Sequence, residues 1–395
     1  MHIVIDAHLA VKKIDGVARY LIGLLTELPG LDRSITYSIL ALPEEKSGLP
    51  GEIFAEENVN KVILDLMGPS PRQHAIVPGL LKKLRADLYH HPQYDLPFRV
   101  RVPSVVTIHD LKYIFYPQFL SNRSWLKSFY IQHSLRYSLE RASRIIAVSE
   151  NTRRDLAGFL GRPPERVQVI HHGVDRPTSP FVPAAPRLRR TAGQASEHNV
   201  KEHKKLALDI QRDFILFVGT RRPHKNIEGL IQALALLRKK YEQEIDLVVA
   251  GKAYSDYTAP ERLVQHLGLQ HHVHFLDFVP DAELAALYQS ARVVSLPSFY
   301  EGFGFPVLEA LAYGKPFVGS NVTSIPEVVG KAGLLVDPNS PEDIADKINQ
   351  ILSDESLAEA LCRKALQRVE EFTWKAMAEA TLKVYLEASC HPRFG

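Results

Sequence analysis

The stretch Ser298-Phe299-Tyr300-Glu301-Gly302-Phe303-Gly304-Phe305-Pro306-Val307-Leu308-Glu309 brings two carboxylates, two glycines and a proline into twelve residues. The apolar run Val293 to Pro297 before it reads as a strand. Pro306 fits the first position of a following helix, where a missing N–H costs nothing. The amides of Val307 and Leu308 then project unpaired from the positive helix end, with Gly302, Phe303 and Gly304 as the loop beside them, and such an end cradles anions. A carboxylate next to a phosphate is wasteful unless it has a polar partner of its own. Vicinal hydroxyls of a sugar supply partners for Glu301 and Glu309, because an ionised carboxylate accepts two hydrogen bonds from a diol. The segment therefore suits a sugar nucleotide better than free phosphate. The bland alternative is that Glu309 complements the helix dipole and Glu301 lies on the surface.

A second segment, Gly219-Thr220-Arg221-Arg222-Pro223-His224-Lys225-Asn226, also lies between a strand and a helix, at the carboxyl end of a sheet where open α/β sheets bind ligands. Lys225 can offer a point charge to a diphosphate, and Arg221 or Arg222 a forked contact. In the first half, Gly16 opens a helix and permits close approach of backbone to a ligand, while His109 and Asp110 sit just past a strand end. A plain turn and a loop histidine with a satisfied hydrogen bond are the structural alternatives. Ser149 reads as a helix N-cap. The pairs His90-His91 and His171-His172, and His271-His272 with His274, show no helical pair with a carboxylate base, and neighbours in a strand face opposite ways, so no metal site is assigned.

The elements that must position these residues alternate short apolar runs with longer helical patterns, as expected for β-α-β units around parallel sheets. Strands are expected at Ile3–Ile5, Tyr37–Ala41, Lys61–Leu64, Leu88–His90, Pro103–Ile108, Arg144–Val148 and Val167–Ile170. A second set is expected at Phe214–Val218, Asp246–Ala250, Val273–Leu276, Val293–Pro297, Pro316–Gly319 and Gly333–Val336. At 395 residues two domains are the natural division. The boundary falls at residues 176–208, where Pro177, Pro180, Pro183 and Pro186 and the basic residues Arg187, Arg189 and Arg190 read as a solvated linker. This gives an N-terminal domain over 1–175, a C-terminal domain over 209–373, and a last amphipathic helix with Trp374, Met377, Ala378, Leu382 and Tyr385 at helical spacing.

Forty-five per cent apolar and 24% charged residues describe a globular chain, and 48 basic against 45 acidic residues is too even a balance for a protein that coats nucleic acid. Cys362 and Cys390 form no metal-type spacing or disulfide framework, which fits a reducing compartment. The start Met1-His2-Ile3-Val4-Ile5-Asp6 lacks the pattern of a signal peptide, and no apolar stretch reaches about 18 residues. A cytoplasmic location is expected, with any membrane contact peripheral at the inner face. Trp125 to Tyr130 and Lys82-Lys83 are candidates for that contact, core packing being the other reading of the aromatic stripe.

Taken together, these segments resemble the retaining nucleotide-sugar glycosyltransferases of the GT-B fold, family 4. The resemblance is carried by Glu301 and Glu309 with the Gly-Phe-Gly-Phe-Pro filling, Gly219-Thr220 with Pro223-His224-Lys225-Asn226, Gly251-Lys252, and Val169 to Asp175. His109-Asp110-Leu111 and Gly16 to Tyr20 resemble its mannosyltransferase-like members. The resemblance implies two Rossmann-like domains facing a deep cleft, a donor nucleotide held mainly by the C-terminal one, and a last helix crossing back to the N-terminal one. It also implies that Glu309 holds the ribose, Lys225 the diphosphate and Glu301 the transferred sugar, that His109 meets that sugar, and that backbone at Phe278-Val279 meets the base. Two departures are Thr220, where many members have Arg, and His172, where Asn is common, so which arginine supports the diphosphate is open.

The mechanism so implied is front-face transfer with retention. No metal or cofactor is expected, since no Asp-x-Asp pair occurs to grip a nucleotide-bound divalent ion. The expected substrates are GDP-mannose and a growing surface polysaccharide or lipid-linked glycan. UDP-glucose is the main rival donor, and a non-catalytic sugar-nucleotide-binding protein the rival class.

Overall fold

A computed structural model of the chain describes residues 1–12, 15–66, 71–117, 125–162, 165–177 and 212–390. Apart from residues 176 and 177, the expected linker lies outside them. The chain divides into two compact units, Met1–Gly173 with Phe372–Gly395, and Val174–Glu371.

The first unit holds seven strands: β1 (His2–Asp6), β2 (Thr36–Ala41), β3 (Val59–Ile63), β4 (Leu88–His91), β5 (Ser104–Ile108), β6 (Arg144–Ala147) and β7 (Val167–Val169). They are parallel in the order β3-β2-β1-β4-β5-β6-β7, so the winding reverses between β1 and β4. Ile3, Val4 and Ile5 are all fully buried, as a sheet covered on both faces demands. The helix Trp374–Cys390 packs against the helix Gly16–Leu31, with Met377, Ala378, Val384 and Tyr385 buried among Leu21, Leu24 and Leu28. The five positions expected to form its apolar face all join this core. Gly23 makes the approach possible, since a Cβ there would lie 2.2 Å from the Trp374 ring.

At the carboxyl ends of β1 and β4 a buried polar network closes the first sheet. Tyr89 Oη donates to Asp6 at 2.6 Å, His91 Nε2 lies 2.9 Å from Asp95, His8 Nδ1 bonds the other oxygen of Asp6, and Gln73 donates to Asp95 at 2.8 Å. Burial opposes charge here, yet mutual attraction wins. Asp6 is held far below the usual carboxylate range by His8 and His91, and Asp95 is lowered by His91 and Gln73. In turn Asp6 and Asp95 push His91 up to about 9, and Asp6 raises His8. On the opposite face His90 is bonded by Tyr385 at 2.6 Å and Thr107 at 2.8 Å. Burial, with His91 and His109 nearby, holds His90 down to about 3, so this imidazole stays neutral. Adjacent histidines in a strand thus face opposite ways, as the pleat requires.

The second unit holds β8 (Asp213–Val218), β9 (Ile245–Ala250), β10 (Val273–Leu276), β11 (Val293–Leu296), β12 (Phe317–Ser320) and β13 (Gly333–Val336). They are also parallel, in the order β10-β9-β8-β11-β12-β13, so this sheet reverses between β8 and β11. Each expected strand is present, with its ends displaced by at most two residues and those at Val273–Leu276 and Gly333–Val336 unmoved. Ser149 caps the helix Glu150–Leu160 as expected, accepting from the Thr152 amide at 3.0 Å.

Candidate active site

The lysine loop follows β8 and the glutamate loop follows β11, so the two segments flank the point at which the second sheet reverses. Open α/β sheets bind ligands outside the carboxyl ends of strands at such a point. Backbone and side-chain hydrogen bonds fasten the loops together. Phe299 donates its amide to the His224 carbonyl at 2.8 Å, and the Asn226 side chain donates to the carbonyls of Pro297 at 2.9 Å and Pro338 at 2.7 Å. Asn226 also takes a left-handed conformation (φ 56°) and caps the helix Ile227–Lys240 by accepting from Gly229. Asn tolerates that backbone where alanine does not. Asn226→Ala is expected to lower unfolding free energy by about 3 kcal/mol, through the lost cap and two orphaned carbonyls. Urea titration checks this, and an unchanged midpoint would remove Asn226 from this role.

Lys225 and Glu301 meet directly. Lys225 Nζ lies 2.7 Å from one carboxylate oxygen and 2.9 Å from the other, and Ser298 Oγ donates to Glu301 at 2.7 Å. Both side chains are largely buried, at 13% and 9% exposure. The glutamate loop is braced beneath them by Ser324, whose hydroxyl donates to the carbonyls of Glu301 and Phe303, and by Thr323, which accepts the Glu301 amide at 3.2 Å. Gly304 has φ 97°, a left-handed value that an L side chain rarely adopts, and it leads into the helix Phe305–Ala312.

That helix begins one residue earlier than expected, so Pro306 is its second residue. The Val307 amide, expected to be free for an anion, instead donates to the Gly304 carbonyl at 2.9 Å. The sharp entry set by Gly304 closes a three-residue turn that uses this donor. Glu301, expected on the surface in the bland alternative, is 8% exposed; Glu309 is 9% exposed, and Tyr288 Oη donates to its Oε2 at 2.6 Å.

The two arginines have separate fates. Arg221 is 5% exposed and fixed by Glu261 at 2.8 Å, by Asp277, by the Gly251 carbonyl at 3.2 Å, and over the Phe275 ring. It ties together the loops that follow β8, β9 and β10. Gly251 admits this crossing, because a Cβ there would sit 1.9 Å from the Gly219 carbonyl oxygen. Arg222 stacks on Tyr254 at 3.5 Å and pairs at 3.0 Å with Asp256, whose side chain is half exposed. Phe278, beside the half-buried Val279, exposes 80% of its surface.

The remaining expected residues belong to the first unit. Gly16 is the exposed first residue of a helix capped by Asp15, which accepts from Val17 and Ala18 at 3.0 Å. His109 follows β5, with its ring edge-on to Tyr20 at 5.0 Å and stacked with His172 at 5.5 Å. Burial holds its imidazole down to about 4, although Asp110, Asp15 and a hydrogen bond to the Pro92 carbonyl pull the other way. A carbonyl only accepts, so one ring nitrogen donates to Pro92. Among the described residues Nε2 is buried without a hydrogen-bond partner, which makes it the bare acceptor of a neutral ring. Leu126 and Phe129 are 59% and 65% exposed, so the core reading of that stripe fails for these two. Among the described residues no helix is long and apolar enough to cross a membrane.

Two Rossmann-like parallel sheets in one chain, with charged loops at the second reversal point and a final helix returned to the first unit, define a protein of the GT-B fold. The solved sucrose-phosphate synthase of Thermosynechococcus elongatus superimposes with a TM-score of 0.74, covering 98% of each chain at 20% identity. HepE of Anabaena, solved with UDP and glucose, gives 0.70 over 96% of this chain and 98% of its own at 20% identity. Residues 14–176 match Glycosyltransferase Family 4, and residues 199–368 match Glycosyl transferases group 1. O-antigen chain mannosyltransferase B of Escherichia coli is 33% identical over 315 residues, which is 80% of this chain and 77% of that protein. The chain belongs to glycosyltransferase family 4, and it is a glycosyltransferase.

Sequence reasoning did not single out Tyr288, Thr323, Ser324, Asp277 or Tyr254. They reach the site from four separate segments, Thr323 and Ser324 sharing one, and carry no local pattern that marks them.

Proposed function

We propose that the protein transfers mannose from GDP-mannose, with retention, onto a glycan or lipid-linked glycan of a surface polysaccharide. The observation that carries this reading is the placement of Lys225, Glu301 and Glu309 around one reversal point, each already held by a neighbour. Likeness to an O-antigen mannosyltransferase supports the choice of sugar and acceptor.

In this reading Glu309 accepts from the ribose hydroxyls, Lys225 meets the diphosphate and Glu301 the transferred sugar. His109 offers Nε2 to a hydroxyl of that sugar. Arg222 supports the diphosphate, since the carboxylate it pairs with, Asp256, is half exposed and can be exchanged, whereas Arg221 is committed to the loops. The acceptor hydroxyl attacks the anomeric carbon from the face the diphosphate leaves, and its proton passes to the departing phosphate oxygen. Both cations stabilise the charge that grows there as the glycosidic bond breaks.

Melting curves with GDP, UDP and ADP test the donor, because a ligand that binds only the folded form raises the melting temperature. GDP is expected to give the largest rise; a larger rise with UDP would replace the donor. Glu309→Ala is expected to weaken nucleoside diphosphate binding about tenfold, the scale of one charge-assisted hydrogen bond. Arg222→Ala should match that loss, while Arg221→Ala should act mainly through stability. Equal nucleotide affinity in wild type and Arg222→Ala would refute the choice of arginine.

A further inference from the structure

Glu309 is a carboxylate that the fold buries, yet the proposed reaction needs it ionised and aimed. Its carboxylate accepts a hydrogen bond from Tyr288 Oη, 2.6 Å from Oε2, on the helix Asp281–Ser290. Tyr288 is itself 1% exposed, and its ring lies flat against Tyr313, with centroids 5.1 Å apart and planes within 4°. The ring is therefore locked by packing, and its hydroxyl is a rigid donor at a fixed point. A short O–H···O⁻ bond of this kind is among the stronger ones available to a carboxylate, and it stabilises the charge without introducing a competing cation. With Oε2 engaged, the rotation of the carboxylate about its own bond is fixed.

We propose that Tyr288 is the positioning residue of the ribose site: it holds the Glu309 carboxylate rotated so that it meets a vicinal diol. This rests on the reading that Glu309 binds the ribose. A tyrosine kept only for packing would serve equally well as phenylalanine, because the ring fills the same space and only the hydroxyl bond to Glu309 is lost.

The experiment is a cycle between protein and ligand. Affinities of GDP and of 2′,3′-dideoxy-GDP are measured calorimetrically for wild type, Tyr288→Phe and Glu309→Ala; the UDP pair is used instead if the melting curves favour uridine. Wild type should prefer the ribose form about thirtyfold, and Glu309→Ala should lose that preference. Tyr288→Phe should retain no more than about threefold, with inorganic pyrophosphate binding unchanged. Wild-type preference in Tyr288→Phe, alongside its loss in Glu309→Ala, overturns the role of Tyr288 and leaves the ribose reading standing. Undiminished preference in Glu309→Ala overturns the ribose reading itself. Should the phenylalanine variant not fold, 3-fluorotyrosine placed at position 288 keeps the ring and supplies a more acidic donor. The preference should then be kept or sharpened, and its loss overturns the proposal.

Discussion

Lys225→Ala should lower turnover by about 10²- to 10³-fold, the usual cost of removing one preorganised group that meets developing charge. The argument is electrostatic. The leaving diphosphate gains charge as the bond breaks, and in the proposed reading a lysine 13% exposed meets it where little water screens the field. Since the charge added in the transition state exceeds that of the bound donor, kcat should fall more than KM for the donor rises. The pair also predicts an opposite sign for its partner. In the free protein Glu301 occupies Lys225 through both oxygens, so an incoming phosphate must compete with a carboxylate for that cation. Glu301→Gln removes the competition, and the product nucleoside diphosphate should bind more tightly even as turnover falls. Steady-state kinetics and product inhibition measure both. Lys225→Ala with wild-type kcat, or Glu301→Gln with weaker product binding, would remove the pair from the mechanism.

Stability is expected to peak near pH 6.5 and to fall on both sides, because histidines in the first unit are shifted in opposite directions about their ordinary value of about 6.5. His74, His90, His109 and His172 are held below it by burial. As pH falls, the unfolded chain binds protons that these native imidazoles refuse, so stability is lost on the acid side. Below about pH 4 the lowered Asp6 and Asp95 add to the loss, for there the unfolded carboxyls take up protons first. On the alkaline side the sign reverses. His8 and His91 are raised, His91 to about 9, so their contribution is complete below the ordinary value and disappears as pH rises through the folded one. With more imidazoles lowered than raised, the acid limb should be the steeper. His91→Gln should flatten the curve between about pH 6.5 and 9, and cost about 3 kcal/mol by leaving Asp6 and Asp95 short of a partner. A wild-type melting temperature that stays level from pH 7 to 9 would contradict this account.

Strand positions were legible in the sequence because each strand is a short apolar run bounded by polar residues, and a parallel sheet covered on both faces demands that pattern. The returning helix was legible for the same reason: Trp374, Met377, Ala378, Leu382 and Tyr385 repeat at helical spacing and bury one stripe. The residue types of the second reversal point were equally visible, since two loops there concentrate charge and glycine. Their pairing was not. Whether Lys225 meets Glu301, 76 positions away, depends on strand order, and the expectation of a free Val307 amide failed on a single left-handed glycine. Arg221 and Arg222 are neighbours of one type, and only the tertiary partners Glu261, Asp277 and Asp256 separate them. The Asp6–His91–Asp95 network was hidden altogether, because its members come from two strand ends and a loop with no periodicity to link them.

The helix Trp374–Cys390 belongs to the unit that begins the chain, so synthesis and completion run in different orders. Most translated proteins can finish their leading domain while the ribosome is still at work. Here the interval unit, Val174–Glu371, emerges whole and can close first. The leading sheet meanwhile waits with Leu21, Leu24 and Leu28 uncovered, and with His90 lacking Tyr385, until the seventeen-residue helix Trp374–Cys390 has emerged. A ribosome that stops short of that helix would leave a greasy flank open to chaperones, and a nascent chain would be safest where such helpers are plentiful.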